Sequence, residues 1–118
     1  MGLDNGVILK KQGEDEEREV AYFRKYYGLR DAFMGYLEDK YYRDCDNNRI
    51  FLDEEDLDML AEKIKEINEP ESFRIATHGI WVWSNEIHDM LMNYIENLKT
   101  AAGKLSEGGY TCYWYDSY

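Results

Sequence analysis

The sequence predicts an α+β domain: three helices packed on one face of a small, mostly antiparallel sheet of three to four strands. Three observations carry this expectation. Long segments repeat apolar residues at helical period, as Ile87, Leu91, Tyr94, Leu98, Ala102 and Leu105 do. Short runs rich in β-branched and aromatic residues lie between them, such as Gly6-Val7-Ile8-Leu9 and Tyr110-Thr111-Cys112-Tyr113-Trp114-Tyr115. An aromatic share of 15% over 118 residues supplies large side chains for one core without staples. Residues 1–118 fit a single domain.

The first strand is read over Gly6–Lys11, released by Gln12-Gly13. Glu14–Glu17 reads as an acidic entry to a first helix spanning about Glu17–Tyr41, because Tyr22, Tyr26, Leu29, Phe33 and Leu37 form one stripe. Gly28 inside it marks a close contact or a kink. Arg49–Leu52 is a short strand or extended entry. Asp53, with Asp56 three residues on, caps a second helix over about Glu54–Ile67, and Pro70 stops it. Phe73–Thr77 is read as extended and Gly79–Trp83 as a strand. Ser84 caps a third helix over about Asn85–Ser106. After the Gly108-Gly109 turn, the aromatic tail is read as a strand beside Gly79–Trp83.

Charge bounds the partners. The net charge is −11 and the isoelectric point about 4.5. Residues 1–71 hold 20 acidic and 11 basic side chains, and residues 72–118 hold 5 and 3. Such a chain repels nucleic acids and anionic membranes and suits solubility, a basic protein partner or mimicry of a nucleic acid. Solvated helix starts explain the runs Glu14–Glu17 and Asp53–Asp58 as well as mimicry does. Cys45 and Cys112 lack framework spacing and read as free buried thiols of a reducing compartment. No secretory leader pattern opens the chain and no apolar run reaches membrane-spanning length, which points to a soluble cytoplasmic protein.

The opening Met1-Gly2-Leu3-Asp4, the segment Glu19-Val20-Ala21-Tyr22-Phe23-Arg24-Lys25, Cys45, and the capped helix start Leu52-Asp53-Glu54-Glu55-Asp56-Leu57 together resemble a group of small phage and prophage proteins. That group begins Met-Gly-Leu-Asp-Met and carries a Glu-Val-Gly-Tyr-Trp-Arg-Lys segment. The chain departs from it at Asn5-Gly6 and at Phe23. The resemblance implies a small accessory role in the cytoplasm of a bacterial host. It brings no catalytic residues.

Four constellations are candidates for chemistry. Asp44, Asp46 and Asn48 stand at positions 1, 3 and 5 of a calcium-loop pattern with Glu55 at position 12, but Arg49 occupies the position that needs Gly; a polar turn before a cap explains the same letters. Arg24, Lys25 and Arg30 form a basic island suited to a phosphate or a partner's carboxylate, or to internal pairing with Glu19, Asp31 or the acidic entry. Trp81, Trp83, Tyr113, Trp114 and Tyr115 divide between core and an exposed interface, since alternate strand residues face opposite ways. His78 and His88 lack metal or nucleophile spacing.

The expected function is therefore that of a phage or prophage accessory protein that binds a host or defence macromolecule without catalysis, as an inhibitor or acidic mimic. The expected partner is a protein, and the acidic charge suits one with a basic surface. Arg24, Lys25, Arg30, Trp81, Trp83, Trp114 and Tyr115 are the candidate binding residues, and no cofactor is implied. The alternatives are a small-molecule or nucleotide binder with a basic island and aromatic wall, a small enzyme, and a virion or assembly component.

Overall fold

A computed structural model describes residues 3–42 and 49–117. The order of elements is β1 (Asp4–Lys11), β2 (Glu17–Arg24), α1 (Tyr27–Tyr41), β3 (Arg49–Phe51), α2 (Glu54–Glu66), α3 (Pro70–Ala76), α4 (Asn85–Glu107) and β4 (Tyr110–Ser117). The four strands form one antiparallel sheet in the order β2-β1-β4-β3. The α+β class and the antiparallel sheet match the expectation.

Alternation sets the two faces of the sheet. Val7, Leu9, Ala21, Phe23, Ile50, Cys112 and Trp114 point inward and meet Leu29, Phe33, Leu37, Leu60, Ile64, Phe73, Leu91 and Leu98 of the helices in one core. Trp114 lies at its centre, edge-on to Phe33 at 4.9 Å, with its indole N–H on the Met34 sulfur. Asp4, Gly6, Ile8, Tyr22, Arg49, Phe51, Tyr113 and Tyr115 point the other way, and their hydrogen bonds and ring contacts run to one another across the strands.

Three expectations fail, each for a local reason. The first helix starts ten residues late: Glu17–Arg24 is a strand, and Glu14–Glu17 leads out of a hairpin rather than into a helix. A bulge shifts the register between Val7 and Ile8, so Val20 and Ala21 are both buried and strict alternation is lost. Only Tyr26, Leu29, Phe33 and Leu37 of the proposed stripe are in or beside α1. Phe73–Thr77 is not extended: Pro70 opens a further helix, α3, instead of only closing α2. Its Ala76 packs on Gly28, where a Cβ would stand 3.0 Å from the Ala76 Cα, so the close contact expected at Gly28 is present. Gly79–Trp83 is a wound loop rather than a strand, and β4 lies between β1 and β3. The helices thus number four among the described residues, not three.

The remaining boundaries follow their signals. Asp53 and Asp56 form a reciprocal capping box at α2, with Asp56 N–H on Asp53 Oδ1 at 2.9 Å and Asp53 N–H on Asp56 Oδ2 at 3.0 Å. Ser84 Oγ accepts from Ile87 N–H at 3.2 Å to start α4.

Candidate functional site

One corner of the molecule gathers four of the candidate residues. The α3 helix unwinds through His78, at φ 53°, and Gly79, at φ 74°, both left-handed. Thr77 is fully buried beneath this turn; its hydroxyl donates to Phe73 O at 3.0 Å and accepts from Trp81 N–H at 3.4 Å. The segment that follows is pushed outward. Trp81 reaches across to β2, its indole N–H donating to Arg24 O at 2.7 Å. Trp83 is half-buried, with its indole N–H on Asn68 Oδ1 at 3.0 Å. On the facing side, β2 turns into α1 at Lys25, whose φ of 62° is unusual for a side-chain-bearing residue. The His78 ring stacks on Tyr27 at 4.5 Å and 8° and ties the two turns together.

The corner is apolar and locally cationic. Among the described residues, the large exposed apolar side chains are Tyr42, Phe51, Ile75, Ile80, Trp81, Val82 and Met92; four of these seven fall between residues 75 and 82, with Ile75 60% and Val82 84% exposed. Residues 72–85 contain no acid. Arg24 and Lys25 make no ion pair among the described residues, so the internal pairing open to them from sequence is not made. Arg74 alone is partnered, by Glu71 at 2.6 Å.

The other candidates lie elsewhere. Arg30 leaves the island: it is buried in α1 and grips Asp116 of β4 through Nε at 2.9 Å and a terminal nitrogen at 2.8 Å, while Asn5 also donates to that carboxylate. Trp114 is core. Tyr115 lies on the outer face of the sheet, half-buried. Asp44, Asp46 and Asn48 lie outside the described residues; Glu55 is turned toward Lys40 at 3.2 Å and Tyr36 at 3.2 Å. Cys45 also lies outside them. Cys112 is buried, which pushes its thiol up to about 12 and suppresses its nucleophilicity. His88 contacts Asp89 at 3.2 Å on the exposed side of α4.

Sequence reasoning missed a second charged centre. Asp56 is fully buried and accepts from Tyr36 at 2.9 Å, Tyr41 at 2.5 Å and Lys40 at 2.8 Å as well as from the Asp53 backbone. With every site of the carboxylate occupied, this cluster clamps α1 to α2. The spacing Tyr36-Lys40-Tyr41 on one helix face was its only signal.

The edge of the sheet at β2 is partly covered by side chains. Val20 O accepts from Asn97 of α4 at 3.2 Å and Arg24 O from the Trp81 indole at 2.7 Å. Both contacts occupy backbone groups that an added strand would need.

Among the described residues no group of three or more His, Cys, Asp or Glu side chains is placed to hold a metal ion, and no helix is long and apolar enough to cross a membrane. No family model matches the chain, and neither a curated protein nor a solved structure is similar to it.

Proposed function

We propose that this chain is a non-catalytic binding protein, of the phage or prophage accessory kind that its sequence resembles, and that it docks a host or defence protein through the Arg24–Lys25–Trp81 corner. The observation that carries the reading is the clustering of exposed apolar side chains at residues 75–82 beside two cations that have no ion-pair partner among the described residues, on a chain of net charge −11. Exposed apolar clusters with a polar rim mark interfaces. Trp and Arg are the residue types that most often dominate binding energy. The cations require a partner patch with an apolar centre and carboxylates at its rim, while the acidic remainder of the chain rejects nucleic acid.

A flat contact suits this corner better than a small ligand does. Its depression, between Arg74, Trp81, Val82 and Trp83, holds about 210 Å³, below the ~300 Å³ at which small-molecule pockets usually begin.

The test is capture from host lysate with the wild-type chain and with Val82→Glu. The expected result is a partner held by the wild type, released by salt, and lost in a variant that melts at the wild-type temperature. A partner retained equally by Val82→Glu places the interface elsewhere. Saturable binding of a mononucleotide at the corner instead supports the nucleotide reading.

A further inference from the structure

The geometry points to a second binding site, on the outer face of the sheet, that takes the guanidinium of an arginine from a basic segment of a partner protein. It stands on other residues than the corner does, so either can fail alone.

The site begins with Gly6. A Cβ there would stand 2.7 Å from both Cε1 and the hydroxyl oxygen of Tyr115, and 2.8 Å from Ala21 O. The absence of a side chain on Gly6 lets the Tyr115 ring cross β1 against the backbone. Its hydroxyl ends 3.4 Å from Glu19 on β2. The ring is half-buried and lines an open depression on this face.

The neighbouring tyrosines repeat the pairing. Tyr113 donates to Glu17, and Tyr22 donates to Asp4 at 2.7 Å. The face therefore presents aromatic rings beside carboxylates. A ring face carries the negative lobe of its quadrupole, and a carboxylate at the rim adds to the attraction for a cation. Arginine suits this arrangement better than lysine, because its planar group stacks on a ring while its edge bonds a carboxylate.

The chain itself demonstrates half of this chemistry. The Arg49 guanidinium lies 4.9 Å from the centre of the Tyr113 ring. Among the described residues no cation stands over Tyr115. The depression there holds about 420 Å³, and Ile8, Glu19, Arg49, Tyr115 and Ser117 are among the residues that line it. Asp4, Glu17 and Glu19 share the face with Lys10, Arg24 and Arg49, so the attraction for a guanidinium is local to Glu19 and the Tyr115 ring, while the net charge of −11 repels a phosphate backbone.

The test follows the Tyr115 ring resonances while a short Gly/Arg peptide is added, with Gly/Lys and Gly/Glu peptides and adenosine monophosphate as comparisons. The expected result is saturable movement with the arginine peptide, weaker movement with lysine and none with glutamate or the nucleotide. Glu19→Gln and Tyr115→Leu should each weaken the arginine peptide about five- to tenfold, and Glu62→Gln, an exposed charge on α2, less than twofold. Should Tyr115→Leu fail to fold, Tyr115→Phe keeps the ring and should retain most of the binding. Equal weakening by Glu19→Gln and Glu62→Gln would reduce the effect to bulk charge and overturn the site. So would a still Tyr115 ring or preferential binding of the nucleotide.

Discussion

Replacing Arg30 by Met tests whether this residue belongs to the structure or to the binding surface. Met keeps most of the aliphatic stem but removes two hydrogen bonds, at 2.9 and 2.8 Å, from a carboxylate whose side chain has no exposed area. Asn5 cannot neutralise the charge that remains. Removing one partner of a buried ion pair costs about 3–5 kcal/mol. A chain of 118 residues has an unfolding entropy of ~250 cal/mol/K, so that loss lowers Tm by about 12–20 °C. Total stability for this length is roughly 6–18 kcal/mol, so the variant should still fold. Denaturant unfolding monitored by circular dichroism gives the loss directly, and corner binding measured below the new Tm should be unchanged. Pairing Arg30→Met with Asp116→Leu should recover part of the loss, since no buried carboxylate then faces the missing guanidinium. A loss below about 1 kcal/mol for Arg30→Met alone would refute the reasoning and class the pair with surface ion pairs.

Gly6→Ala should destabilise by about 1–3 kcal/mol, because its Cβ meets the backbone oxygen of Ala21 as well as the Tyr115 ring; melting temperature reads it, and a neutral effect would mean the ring moves freely. Alkaline titration should show a fraction of the phenols, Tyr26, Tyr36 and Tyr41 among them, ionising late and together with unfolding. Burial first, then the Asp56 carboxylate, raises Tyr36 and pushes Tyr41 up to about 12, and burial raises Tyr26. A phenol raised above its unfolded value near ~10 contributes stability that is full below that pH and lost as pH climbs toward the folded value. Ionisation of all eleven tyrosines near pH 10 in a still-folded chain would contradict this. Trp81→Phe removes the indole N–H that covers Arg24 O and should cost about 1 kcal/mol; faster amide exchange in β2 would accompany it, and unchanged exchange would show that the edge is protected without Trp81.

What the sequence made legible was whatever has a strong local signal. The capping box at Asp53, the Ser84 cap, the stripe from Ile87 to Leu105 and the tail strand are all read correctly, because each is decided by neighbours within one or two turns. The β2 strand was hidden twice. Its bulge buries Val20 and Ala21 together, and Tyr22 falls in helical register with Tyr26 although it faces the opposite side of the sheet. The break itself, a left-handed Lys25, carries neither Gly nor Pro to announce it. Pro70 has the same letters whether it ends one helix or begins the next. For the site, the sequence named Arg24, Lys25, Trp81 and Trp83 in two separate sets that the fold brings to one corner, and it could not separate Arg30, whose partner Asp116 lies 86 residues away. The acid-free stretch from residue 72 to 85 in so acidic a chain was the unused signal for the exposed apolar corner.

The most direct test of the docking corner places a photo-crosslinking residue at position 82 and, as control, at position 62 on α2, in the otherwise unchanged chain, and exposes host lysate to each. The account predicts a specific adduct at position 82, competed by unlabelled wild-type chain and lost on reversing the charges of Arg24 and Lys25, with nothing comparable at position 62. Adducts of equal yield at both positions, or a position-82 adduct indifferent to charge reversal at Arg24 and Lys25, would contradict it.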